Sequence, residues 1–295
     1  MDSFSISDFP PPISALNDFR IVRSFKLLKL AQNTIPMSAK LENAKNLYLE
    51  GIRDGNAREA VTKYTGDRYT QHSTGVRDGV EGFVEFFEPF FQRNPKREIE
   101  IIRGWEDGQY VFLQAYQNIN DGEAQWITTD FFDTDENDKI IEHWDVISAY
   151  TGSTPSGHTE IDGPTEVTDL DQTEANKLIV RNLIQDALME GGDPAKIPDY
   201  VAENYIQHNK DVPDGRAAFM ALASAPNRAL NYKRIVLLVG QGNFVATLSE
   251  ANWKDDKVNQ DYAQVDIFRL ENGKVVEHWD NVEPVPENDV NSGKF

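Results

Sequence analysis

Apolar residues recur at helical spacing at Leu41, Ala44, Leu47, Tyr48 and Ile52, just ahead of Asp54-Gly55. That pattern predicts an amphipathic helix closed by a turn. It returns at Ile179, Leu183, Ala187 and Leu188 before Gly191-Gly192. Short second helices are expected over 56–66 and 194–203. A third helix carries Phe83, Phe86, Phe87 and Phe90. Beyond it the pattern reads as strands, over 97–105, 110–118, 124–132 and 140–150, and again over 232–240, 243–251, 260–270 and 274–283. Asp107-Gly108, Gln241-Gly242 and Glu271-Asn272-Gly273-Lys274 are hairpin signals. Helices followed by an antiparallel meander define an α+β architecture. The expected sheet is curved around the helices, leaving a conical pocket between them.

The two halves are copies. Residues 69–87 laid over 205–223 share seven of 19 positions, including Tyr-x-Gln-His-x-x-x-Val-x-Asp-Gly. The same offset pairs Asp130 with Asp266, and one residue less pairs 139–145 (KIIEHWD) with 274–280 (KVVEHWD). Two motifs in register over such a distance mark a tandem duplication. The expected organisation is an N-terminal extension (1–37, disordered or poorly packed), a first domain (38–151), an acidic linker (152–171), a second domain (172–287) and a tail (288–295). Two copies suggest an intrachain pseudo-twofold dimer, with a further homo-oligomer left open.

Composition narrows the function. The chain has no cysteine, which removes disulfides, thiolate metal sites and cysteine nucleophiles. Its net charge of −20 repels a phosphate backbone, so no nucleic-acid partner is expected, and anionic membranes are disfavoured. The longest apolar run, 235–239, is far too short to span a bilayer. Acidic residues in 1–37 argue against a transit peptide, and no secretory hydrophobic segment is seen, so the expected localisation is cytoplasmic.

Four of the five histidines form equivalent pairs, His72 with His208 and His143 with His278, while His158 stands alone in the linker. Strand alternation puts His143 and Asp145 on one face, and likewise His278 and Asp280. A histidine and a carboxylate on one face can act as an acid/base pair, or can form a structural hydrogen-bonded pair. Asp130 and Asp266 lie near them if their strands pair with the last one. An aspartate in an apolar strand needs a partner or a raised pKa. His72 and His208 are expected at the pocket mouth, and Phe132, Phe268 and Tyr262 among its walls. Trp144 and Trp279, on the opposite face, read as core or interface aromatics. No HExxH or close histidine cluster, phosphate loop or serine elbow is present, so no metal is expected.

Tyr-x-Gln-His…Asp-Gly, followed by 266–280 (DIFRLENGKVVEHWD), resembles SnoaL-like proteins of the nuclear transport factor 2-like superfamily. The resemblance covers both copies. It implies two cone-shaped α+β barrels, each with N-terminal helices on a curved antiparallel sheet. It also implies aldol-condensation, cyclase or isomerase chemistry on a small carbonyl compound, without metal or organic cofactor. Asp145 and Asp280 would be the bases and His143 and His278 their partners. The alternative is a non-catalytic small-molecule-binding or assembly module of the same fold.

Overall fold

A computed structural model describes residues 38–225, 230–254 and 257–295; the expected N-terminal extension lies outside the described residues. The first copy opens with α1 (Ala39–Asn46), whose N-terminus is capped by the Ser38 hydroxyl accepting from Lys40 N–H. It continues as a π-helical stretch, Leu47–Arg53, and the two together bury Leu41, Ala44, Leu47, Tyr48 and Ile52. Then come α2 (Ala57–Tyr64), β1 (Thr65–Gln71), α3 (Gly79–Arg93) and the strands β2 (Arg97–Asp107), β3 (Tyr110–Ile119), β4 (Ala124–Thr134) and β5 (Ile140–Ala149). The second copy repeats this with α4 (Thr173–Leu183), a π-helical Ile184–Leu188, α5 (Ile197–Tyr200), β6 (Val201–Gln207), α6 (Arg216–Ala223), β7 (Leu230–Gln241), β8 (Phe244–Lys254), β9 (Asn259–Glu271) and β10 (Lys274–Pro284).

Each copy builds a five-stranded sheet, ordered β1-β5-β4-β3-β2 and β6-β10-β9-β8-β7. The four expected strands of each copy form an antiparallel meander. The fifth, β1 or β6, was expected as part of a short helix and a Gln-His loop; it pairs in parallel with β5 or β10. Its sequence hides it, because β1 buries only Thr65, Tyr69 and Gln71 of its seven residues. The sheets are therefore mixed.

Two cores lie between helices and sheet, one per copy, around Leu47, Phe83 and Phe132 and around Leu183, Tyr205 and Phe268. A third joins the copies. Trp105, Phe112, Phe131 and Trp144 of the first sheet pack with Phe244, Val265, Ile267 and Trp279 of the second. The sheets thus meet through their outer faces, with Trp105 stacked 5.4 Å from Phe244, and both inner faces stay with their own helices.

Candidate functional site

Asp145 on β5 stands opposite Asp130 on β4, and His143 opposite Phe132. Alternation sends all four side chains to the helix-facing side of the sheet. There they meet Tyr48, delivered by the first helix, and Gln71, delivered by β1. The Tyr48 hydroxyl donates to Asp130 Oδ1 at 2.7 Å, and His143 Nε2 lies 2.9 Å from the same oxygen. His143 Nδ1 is 3.0 Å from Gln71 Oε1, and the Gln71 amide donates to the Tyr69 hydroxyl at 2.8 Å.

The second copy repeats the chain with Tyr232, Asp266, His278, Gln207 and Tyr205. Here the Asn209 backbone N–H donates to Gln207 Oε1 at 3.1 Å, which identifies that atom as an acceptor. His278 Nδ1, 2.9 Å from it, must carry a hydrogen. His278 Nε2 then faces the Asp266 carboxyl at 3.0 Å. The matching bonds of His143 give the first copy the same arrangement. In that copy, burial raises the Asp130 carboxyl above its ordinary pKa, outweighing the opposing pull of His143.

The remaining carboxylates differ between the copies. Burial alone would raise Asp145, but the Lys294 ammonium, His143 and the Ser73 hydroxyl outweigh it and hold the carboxyl below its usual range. Ser73 Oγ donates to it at 2.6 Å and Lys294 Nζ at 3.3 Å. Asp280, partly buried, accepts from Asn209 Nδ2 at 2.6 Å. Withdrawal from water raises it; His278 pulls it down, while Asp266 and Glu160 add to the rise.

Asp145 opens on a cavity of about 330 Å³ in the first copy. Its apolar walls include Phe83, Phe86, Phe87, Phe90, Trp126 and Phe132, and its polar end presents Tyr69, Gln71, Ser73, Gln117, His143 and Asp145. A few convergent polar groups in an apolar hollow are the usual form of a small-molecule site. In each copy the ligand atoms of the two aspartates and the histidine (Asp130, His143, Asp145; Asp266, His278, Asp280) lie within 4.8 Å of one another, a grouping able to hold a metal ion. In the first copy Asp145 already has a cation, Lys294.

The model of the SnoaL-like domain matches the chain twice, at residues 46–143 and 180–278. The chain belongs to the SnoaL-like family. Solved structures resembling it include an LEH-like epoxide hydrolase from M. tuberculosis, with 13% identity, 38% of this chain and 85% of that one covered and a TM-score of 0.34. A candidate ketosteroid isomerase from Kribbella flavida has 16% identity, covering 40% and 84%, with a TM-score of 0.34. A candidate SnoaL-like polyketide cyclase from Jannaschia has 16% identity, covering 41% and 92%, with a TM-score of 0.33. A search of curated proteins finds no match. Among the described residues no helix is long and apolar enough to cross a membrane.

Within the SnoaL-like copies, several expected site residues lie elsewhere. His72 does not reach the pocket. It is stacked 4.8 Å from Trp144 with Nε2 2.9 Å from Glu142. His208 stacks 4.6 Å from Trp279, with Nε2 2.9 Å from Glu277. The reason is alternation: Gln71 and Gln207 point inward, so the next residue turns to the outer face. Asp130 and Asp266 sit behind their histidines, and Phe268 packs 5.0 Å from His278. Tyr262 is the strand counterpart of the cavity residue Trp126. His158, isolated in sequence, lies 3.0 Å from Asp214. The sequence reading missed Tyr48, Ser73 and Lys294 as site residues.

Proposed function

We propose that the first copy is a proton-transfer site for a small carbonyl compound, with Asp145 as its base. The observation that carries this reading is a buried carboxylate, kept ionised, at the polar end of an otherwise apolar cavity. Asp145 lines the cavity, whereas Asp130 lies behind His143, its Oδ1 accepting from Tyr48. Asp145 would take the proton from the carbon next to the carbonyl, and the C–H electron pair would move onto the carbonyl oxygen. Tyr69 is placed to donate to that oxygen: its hydroxyl accepts from Gln71, and burial keeps it protonated. Return of the proton to another carbon is isomerisation; attack of the enolate carbon on a second carbonyl is aldol condensation. The same low pKa that keeps Asp145 ionised makes it a weaker base, so the substrate needs an activated carbon. No step calls on a cofactor.

Incubation with β-tetralone, a two-ring ketone, in deuterated buffer tests this. Asp145→Asn is expected to slow deuterium incorporation about 10²–10⁴-fold, and Tyr69→Phe to slow it by a smaller factor, each with unchanged far-UV circular dichroism. Binding of the ketone with no exchange by the unmodified protein would instead establish a non-catalytic binding module.

A further inference from the structure

The segment that follows each copy crosses to the other copy. Residues 156–159, after the first, dock on the second: Ser156 Oγ accepts from Asp214 N–H at 2.7 Å, and His208 Nδ1 lies 2.7 Å from the Thr159 carbonyl. Residues 289–295, after the second, dock on the first. Ser292 Oγ donates to Asp78, the counterpart of Asp214, at 3.0 Å, and His72 Nδ1 bonds the Gly293 carbonyl. Asn291 Nδ2 reaches the Ser73 and Val76 carbonyls at 2.7 and 2.8 Å. Each docking gives a backbone carbonyl to the Gln-His histidine, Thr159 to His208 and Gly293 to His72, and the residue after that carbonyl differs in charge. After Thr159 comes Glu160, which is buried and accepts from the Thr151 and Gly152 N–H groups. Lys294 goes inward, is 1% exposed, and bonds Thr74, Glu283 and Asp145 at 3.3, 3.0 and 3.3 Å.

We propose that Lys294 is the residue that holds Asp145 as a free carboxylate, that 291–295 is a built part of the first copy's site, and that the lack of such a cation leaves Asp280 idle. The titratable and charged groups around Asp145 are His143 on its own strand, Asp130 opposite, Tyr48 and Tyr69 from the helix and β1, and Lys294 with Glu283 from the second copy. Lys294 is the one full cation among them. Around Asp280 the corresponding charges are His278, Asp266 and Glu160, so the two sites are built with opposite fields. Lys294 is a positioning residue: it acts through Asp145. The idleness of Asp280 rests on the proposed role of Asp145 as base; the coupling of Lys294 to Asp145 does not.

The test follows the ¹³C side-chain carboxyl signals of Asp145 and Asp280 against pH in the full chain. Lys294→Gln, and separately deletion of 291–295, should raise the Asp145 titration by about 1–3 pH units. Lys294→Arg should restore it, and the Asp280 titration should stay in place throughout. Glu283→Gln, which leaves the ammonium to Asp145 alone, should move Asp145 further down, and provides a reading should Lys294→Gln fold poorly. An Asp145 titration that does not move in Lys294→Gln, or in Glu283→Gln if the first variant is unfolded, overturns the assignment. Deuterium exchange into β-tetralone, measured on the same samples, should show its acidic limb displaced with Asp145. Movement of the carboxyl signal without any exchange in the unmodified protein would sink the proposed base and leave the Lys294 coupling standing.

Discussion

Asp145 and Asp280 hold the same place in the repeat, yet one is lowered and the other raised. The consequences for stability have opposite signs. A lowered carboxyl stabilises the fold at pH above its unfolded pKa of about 3.9, and that contribution is lost as pH falls through the lower folded value. Asp145→Asn should therefore cost about 3 kcal/mol at pH 7, since it leaves a buried ammonium with Glu283 alone, and the cost should shrink below about pH 4. A raised carboxyl stabilises below about pH 3.9 and loses that contribution as pH rises through the folded value. Asp280→Asn should accordingly raise the melting temperature at pH 7, with the gain fading in acid. Melting curves of both variants over this range check the pair. The sequence showed His143 and Asp145 on one face because alternation is local; Asp130 joined them on the condition that β4 pairs with β5, as it does. It hid Tyr48, whose hydroxyl sits on a helical stripe that reads as core, and Lys294, which is 149 residues from its partner.

Among the elements, α3 depends on one close approach. A Cβ at Gly82 would lie 2.0 Å from the Arg77 carbonyl oxygen, a backbone atom that the preceding loop cannot easily withdraw. Gly82→Ala should shift α3 away from the cavity wall it supplies through Phe83, Phe86, Phe87 and Phe90, at a cost of about 1–3 kcal/mol typical of overpacking. Chemical denaturation measures the cost, and weaker uptake of an apolar fluorescent probe would report the displaced wall. The eight long strands and the opening helices were legible because each repeats its period over many residues. β1 and β6 were not, since their middle residues are polar and all of their pairing partners lie some 70 residues downstream. The fifth strand matters to the site: it carries the glutamine that orients each histidine.

At the scale of the whole molecule, the duplication was readable from the paired motifs, whereas the way the copies meet was not. Trp144 and Trp279 announced an outer-face role without naming what covered them. The answer is the other sheet, through a shared apolar core that makes the two copies one compact unit. Trp105→Ala, which removes a ring packed between Phe112 and Phe244, should cost about 3–5 kcal/mol. Amide hydrogen exchange should report lost protection in β3 and β8 together; loss confined to β3 would mean that the copies unfold independently. The −20 charge is spread over both copies and the connector, so it reads as a solvated exterior, while the charges that matter are the few buried between the copies. The most direct measurement of this account is the carboxyl titration of the unmodified protein. Asp145 should titrate below, and Asp280 above, the ordinary aspartate range of about 3.9; the reverse order, or equal values, would contradict it.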